Sequence, residues 1–201
     1  MRIIKLLLIL VTGMIFTACS TESGDELLHE DTPLSENTFS AAYPVPETLT
    51  EIENQSEQVL RVKMLNVEEY GELSEDGTLT ATITELGVQD VLSGTLSKGN
   101  KIKVSEPYHF NLGSLTIIGN YLPMEREEEY IVFLSNFDGE TWMIDFMGFG
   151  KYSLDKSVSS DPLESFDTYA EIQEFGFVSG EDEIGTRYTT IRNEVLDKYL
   201  Q

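Results

Sequence analysis

Short segments with strand-like patterns fill the middle of the chain, and they restrict its fold more than any other feature. Val62 and Met64 alternate with charged neighbours, which predicts a strand with one buried face. Residues 129–134 are almost continuously apolar, as in a strand buried on both faces. The predicted strands cover residues 58–67, 78–92, 101–105, 115–118, 129–134, 141–146 and 148–152. This series of short strands and glycine-rich turns predicts a mainly β fold, a small antiparallel barrel or sandwich.

Helices are predicted on both sides of this region. Thr48 and Glu51 have the spacing of a capping box, which predicts a short helix over residues 47–55. Helical spacing of apolar residues predicts further helices over residues 163–175 and 189–200, with an acidic loop between them at residues 180–185. The last helix is amphipathic, so we expect it to cover the barrel. Within the long strand, Gly87 predicts an interruption by a bulge or a strong bend.

The order of these segments resembles that of a group of exported bacterial proteins. The phrases that carry the resemblance are Val91-Leu92-Ser93-Gly94, Gly99-Asn100-Lys101-Ile102-Lys103-Val104 and Glu128-Glu129-Tyr130-Ile131-Val132-Phe133-Leu134. The group is similar to the OB-fold barrels of netrin and metalloproteinase-inhibitor modules. The resemblance therefore implies an OB-like barrel over residues 47–155, and it says little about a ligand. Metalloproteinase inhibition is not expected, because it requires a free N-terminal cysteine, whereas Cys19 is expected to be acylated and separated from the barrel by a tether.

The first nineteen residues have the features of an export signal. Arg2 and Lys5 precede an apolar run over residues 6–16, which is too short to span a bilayer as a helix. The phrase Phe16-Thr17-Ala18-Cys19 resembles the lipobox of bacterial lipoproteins. This resemblance implies a signal peptide over residues 1–18 and a diacylglyceryl group on Cys19, which would anchor the protein to the outer face of a Gram-positive cell membrane. An ordinary secreted protein or a signal anchor is the alternative.

Three further segments follow the signal peptide. Residues 19–46 combine low hydrophobicity with negative charge, which predicts a disordered acidic tether. The barrel is expected over residues 47–155. Residues 156–201 form a C-terminal helical extension that we expect to pack on the barrel, although the sequence leaves open whether it is a separate unit.

The charge of the chain excludes one class of partner. The formal net charge is -23 at pH 7, and Lys and Arg are not clustered. Nucleic acid is therefore not expected as a partner, because phosphate binding needs clustered basic residues. Such acidity favours solubility, cationic peptides or divalent ions. With a single cysteine, neither an internal disulfide nor a cysteine-rich metal site is possible.

No residue pattern identifies a catalytic centre or a cofactor. His109 lies between predicted strands near Ser105 and Ser114, but neither serine has the flanking glycines of a nucleophile elbow. The acidic runs at residues 125–129 and 181–183 lack the spacing of a calcium loop, so we interpret them as solvated turns rather than a metal site. A pair of carboxylates for glycoside hydrolysis is a spatial property that the sequence does not select.

Aromatic residues in the last predicted hairpin are the candidate ligand-binding residues. Trp142, Phe149 and Tyr152 would offer a stacking face for a ligand if they lie on the barrel surface, although alternation places some of them in the core. The first functional hypothesis is thus a membrane-anchored, non-enzymatic module that binds an unknown protein or small molecule outside the cell. The alternative is a small cell-envelope hydrolase that uses His109 or a carboxylate pair. A purely structural envelope component is a third hypothesis.

Overall fold

The computed structural model describes residues 27–35, 43–74 and 76–200. The predicted signal peptide and Cys19 lie outside the described residues and stay predictions. Within the described ranges, no helix is both long and apolar enough to cross a membrane.

Three helices and ten strands follow one another along the described part of the chain. The helices are α1 (Leu49–Gln55), α2 (Tyr169–Ile172) and α3 (Asp182–Tyr199). The strands are β1 (Gln58–Glu69), β2 (Thr82–Ser93), β3 (Lys101–Glu106), β4 (Tyr108–Asn111), β5 (Ser114–Ile117), β6 (Glu129–Asn136), β7 (Thr141–Ile144), β8 (Lys151–Ser153), β9 (Ser157–Ser159) and β10 (Phe175–Val178). Short 3-10 turns cover Met147–Gly150 and Leu163–Ser165.

Five strands close into a barrel in the order β1-β2-β3-β7-β6, with β6 paired back to β1. β3 runs parallel to β7, whereas the other four pairings of the barrel are antiparallel. β8 extends the sheet beyond β6. This architecture confirms the prediction of a mainly β, OB-like barrel with a short helix before it and a helix at the C-terminus.

The strand β2 is continuous through Gly87, and it has a bulge close to the predicted interruption. Its ladder with β3 ends at Gly87. In its ladder with β1, Asp90 pairs with Arg61, whereas Val88 pairs with the next residue of β1, Val62. The skipped Gln89 forms a bulge, which increases the coiling of the strand and lets the barrel close.

Apolar side chains of β6 alternate between two separate cores. Val132 and Leu134 belong to the core inside the barrel, whereas Ile131 and Phe133 belong to a second core between the barrel wall and α3. Each such buried side chain stabilises the fold by about 1.5–3 kcal/mol. The alternation explains why residues 129–134 are almost continuously apolar.

The predicted helix over residues 163–175 is wrong. The structure has a 3-10 turn at Leu163–Ser165, the four-residue helix α2 and then the strand β10, which pairs in parallel with β9. The apolar spacing reflects burial, since Tyr169 and Ile172 pack in the barrel core. The backbone around Phe177 instead pairs with β9, and a local pattern carries no information on such a tertiary contact.

The acidic loop predicted over residues 180–185 is helical for most of its length, because α3 begins at Asp182. Asp182 and Glu183 lie in the first turn of α3. Negative charges there interact favourably with the helix dipole, so the acidic run favours a helix start rather than a loop.

Residues 27–35 pack on the barrel, although they belong to the segment predicted as a disordered tether. The Leu34 N–H donates to the Asp167 carbonyl at 2.9 Å, and the Leu115 N–H donates to the Pro33 carbonyl at 2.8 Å. These bonds hold the segment between β5 and the residues that precede α2, so the prediction of disorder is wrong for these residues. Composition misled the prediction because backbone hydrogen bonds do not depend on side-chain hydrophobicity.

Candidate functional site

A pocket of about 280 Å³ lies at one end of the barrel, where the parallel ladder of β3 and β7 ends at Ser105 and Met143. The apolar residues that line it are Leu79, Ala81, Pro107, Ile118, Met143, Ile144 and Met147. Leu79 is 45% exposed and Met143 is 42% exposed. The pocket therefore presents an apolar surface to solvent, which is the usual composition of a ligand site.

The rim of the pocket at residues 79–81 is held in place by buried hydrogen bonds. The Thr82 hydroxyl accepts from the Gly71 N–H at 3.0 Å and donates to the Tyr108 carbonyl at 2.9 Å. A Cβ atom on Gly71 would lie 2.5 Å from the Thr80 carbonyl oxygen, so only glycine allows the two backbones to come this close. The rim is thus fixed before any ligand arrives.

One wall of the pocket depends on a strained turn. Phe146 and Met147 have φ angles of 53° and 52°, in the left-handed region. This conformation costs about 1–2 kcal/mol for each residue. In the 3-10 turn that follows, a Cβ atom on Gly150 would lie 1.9 Å from the Asp145 carbonyl oxygen. This turn replaces the first part of the kinked strand predicted over residues 148–152, and strain of this kind is typical of ligand sites.

Asp145 also lines the pocket, but its carboxylate is bound to other groups. The Ser56 hydroxyl donates to it at 2.7 Å, and the Ser135 hydroxyl donates to both oxygens at 2.8 and 2.9 Å. Burial raises the pKa of this carboxyl, while the two serine hydroxyls act in the opposite direction. These bonds join the end of α1 to the barrel, which gives Asp145 a structural role.

His109 lies in the lining, as the hydrolase hypothesis requires. It sits on β4 opposite Thr116 and is 1% exposed. Burial lowers the pKa of its imidazole, which favours the neutral form of the ring. Both ring nitrogens are shielded from solvent. A general base must reach the proton that it removes, so the shielding of both nitrogens does not favour His109 as a general base.

The candidate ligand-binding aromatics do not form a surface. Phe149 and Tyr152 are fully buried in the second core, where each packs against Tyr188 at ring distances of 5.6 and 5.2 Å. The prediction that these two rings contact a ligand is therefore wrong, because α3 covers them. Trp142 is half-buried and packs against the barrel core next to Met143, and it does not line the pocket.

The two acidic runs take part in separate ion pairs. Glu127 pairs with Lys63 at 2.6 Å, and Glu183 pairs with Arg187 at 2.8 Å. Over the described ranges, no group of three or more His, Cys, Asp or Glu side chains is arranged to hold a metal ion.

Sequence reasoning missed two buried ionisable side chains, those of Glu106 and Lys151. Glu106 is fully buried and accepts hydrogen bonds from the Tyr121 hydroxyl and the Met124 N–H, both at 2.9 Å. Lys151 is 1% exposed, donates to the Leu122 carbonyl, and lies 4.4 Å from the centre of the Tyr121 ring. Burial raises the pKa of Glu106 and lowers that of Lys151 to about 7. Charged residues are rarely buried, so composition gave no reason to place either one in the core.

A comparison of the chain with models of known protein families, with curated proteins and with solved structures found no match. The pocket therefore has to be interpreted from its own geometry and chemistry.

Proposed function

We propose that this protein is a membrane-anchored, extracellular binding module that holds an apolar group of its ligand in the pocket between β3 and β7. The observation that carries the proposal is the apolar lining, with Leu79 and Met143 partly open to solvent. A volume of about 280 Å³ suits one large side chain or a short apolar segment. The anchored, extracellular location rests on the lipobox-like phrase that ends at Cys19.

The rigidity of the site supports binding as its role. Thr82 fixes the rim, and the strained turn at Phe146 and Met147 fixes a wall. A site that is already formed loses little conformational entropy when a ligand binds. The Asp145 carboxylate is hydrogen-bonded to Ser56 and Ser135, and the His109 ring nitrogens are shielded from solvent. Neither of these two lining groups is therefore placed to exchange a proton with a ligand.

The methionines of the pocket provide a direct test of binding. The full lipidated chain, with ¹³C-labelled methionine methyls, is placed in phosphatidylcholine nanodiscs and titrated with the neutral probe N-acetylphenylalaninamide. We expect the methyl signals of Met143 and Met147 to shift, and those of the buried Met64 and Met124 to stay in place. Equal shifts of all four signals, or none, would contradict the proposal.

Two leucines give a matched pair of variants for this titration. Leu79→Asp places a charge in the pocket, whereas Leu112→Asp changes a leucine that is 102% exposed and lies outside the lining. We expect Leu79→Asp to weaken probe binding about tenfold, as expected for the loss of one apolar contact worth about 1.4 kcal/mol. Leu112→Asp should leave binding unchanged.

The envelope hydrolase is the second candidate, because the pocket contains His109 together with Ser105. The His109→Gln variant separates the two functions. A binding module keeps its affinity for the probe, whereas a hydrolase that depends on His109 loses turnover of ester or amide substrates.

A further inference from the structure

The charges in and around the pocket restrict the chemistry of its ligand. We propose that the natural occupant is an apolar side chain of a basic peptide segment, with the basic residues held by acidic side chains next to the pocket. This inference rests on the proposed function, because it assigns a ligand class to the same site.

The lining disfavours an anionic ligand. Among the described residues, no Lys or Arg lines the pocket, and its one histidine is buried. A carboxylate or phosphate that entered the pocket would lose its hydration without meeting a cation. Such uncompensated burial costs several kcal/mol for each ion. Fatty acids and phosphorylated ligands are therefore poor candidates for a head group inside the pocket.

Exposed acids flank the rim on the side of Leu79. The Glu72 N–H donates to the hydroxyl of Thr80 in the lining at 2.9 Å, and its carboxylate side chain is exposed. The Asp76 carboxylate accepts from the Thr78 N–H at 3.0 Å, next to Leu79. These bonds place the Asp76 carboxylate, and the backbone that carries the Glu72 side chain, beside the rim.

Positive charge is scarce on the strands that carry the opening. Lys103 lies on β3 opposite Thr141, but its ammonium group pairs with Glu68 at 2.5 Å. The exposed Glu140 precedes Thr141, so it lies at the end of this ladder away from the pocket. Negative charge therefore predominates on the Leu79 side of the apolar opening.

The complementary ligand has an apolar centre and positive charge next to it. A peptide with one large apolar side chain between basic residues satisfies both conditions. The net charge of -23 extends the attraction to the whole molecule, so such a peptide is also drawn to the protein at long range. The same field repels anionic lipid surfaces, which separates a peptide ligand from membrane headgroups.

Three end-blocked peptides, KKFKK, EEFEE and KKGKK, test the inference with the nanodisc-bound, lipidated chain. The shifts of the Met143 and Met147 methyl signals report binding in the pocket. We expect KKFKK to bind at least about tenfold more tightly than either of the other peptides, which corresponds to about 1.4 kcal/mol. Its affinity should fall as salt is added, because salt screens exposed charges.

Two pairs of acid-neutralising variants show where the basic residues bind. Glu72→Gln combined with Asp76→Asn should weaken KKFKK binding about threefold or more, since exposed ion pairs contribute up to about 1 kcal/mol each. Binding of neutral N-acetylphenylalaninamide should not change. The control pair, Glu194→Gln with Asp197→Asn on α3, should leave both affinities unchanged.

The outcomes separate the two proposals. If EEFEE binds as tightly as KKFKK, the basic-peptide inference is wrong while the pocket still functions as a binding site. The same conclusion follows if the rim variants and the α3 variants weaken KKFKK equally. If no peptide and no neutral probe shifts the Met143 and Met147 signals, the proposed function itself is wrong.

Discussion

Lys151 shows how a single buried residue makes the stability of the protein depend on pH. Burial lowers the pKa of Lys151 in the folded protein to about 7 from its ordinary value of 10.5. Between these values the unfolded chain holds a proton on this side chain that the folded chain has released. The free energy of unfolding therefore rises with pH in this window. Glu106 acts in the opposite sense, because its raised pKa makes the folded chain keep a proton that the unfolded chain loses.

The Lys151→Met variant tests this balance. It removes the contribution of Lys151, which rises with pH, so the increase in the free energy of unfolding between about pH 7 and about pH 9 should be smaller than in the native chain. Urea unfolding at the two pH values measures the change. Lys98→Met, at an exposed lysine, serves as the control and should keep the native pH dependence. An unchanged pH dependence in Lys151→Met would show that this amine does not titrate in the window.

At the scale of elements, α3 stabilises the barrel through the second core. Tyr188 lies at the centre of this contact. Its ring stacks on Phe177 at 4.0 Å and on Tyr152 at 5.2 Å, and its hydroxyl donates to the Lys151 carbonyl at 3.1 Å. The helix thus packs directly behind the strand that carries the buried lysine. This contact answers the question that the sequence left open, because the C-terminal helix shares a core with the barrel.

We expect Tyr188→Ala to lower the free energy of unfolding by about 3–5 kcal/mol, the usual cost of removing a buried aromatic side chain. Trp142 is the one tryptophan and lies on β7, so its fluorescence reports on the barrel, while far-ultraviolet circular dichroism reports on α3. The unfolding transitions measured by fluorescence and by circular dichroism should coincide, both in the native protein and in the variant. The exposed neighbour provides the control, since Thr189→Ala should change stability by about 0.5 kcal/mol or less. Loss of helix signal with an unchanged Trp142 transition would contradict a shared core.

At the scale of the whole molecule, the proposed function depends on where the chain is held. Residues 27–35 pack on the barrel, so only a short segment separates Cys19 from the folded part. The proposed anchor would therefore hold the binding module near the membrane surface, and its net charge of -23 disfavours contact with anionic headgroups.

Membrane fractionation tests the anchor directly. In the native chain we expect mass analysis to find a diacylglyceryl group on an N-terminal Cys19, because two acyl chains give stable membrane binding. The Cys19→Ala variant should lose the lipid and leave the membrane fraction. Ser20→Ala is the matched control and should stay in the membrane. An unmodified Cys19 in the mature protein would overturn the extracellular, lipid-anchored location.

Tertiary structure alone decided the location of the candidate site. Its lining comes from residues 79–81, 105, 107–109, 118, 143–145 and 147, which meet only after the barrel has closed. The alternation in the last hairpin correctly indicated that some aromatics are buried. It could not show that Phe149 and Tyr152 face α3, because that helix lies far away in the sequence.

Local physics determined much of the fold. Alternation predicted the barrel strands, Gly87 predicted an irregularity that β2 shows as the bulge at Gln89, and the continuous apolar run over residues 129–134 predicted a strand buried on both faces. These features depend on residues that are close in the sequence, so they can be predicted from sequence patterns. The parallel pairing of β9 with β10, the ordering of residues 27–35 and the burial of Lys151 depend on contacts between distant segments. Only the folded chain brings those segments together, which is why the structure and not the sequence revealed the pocket.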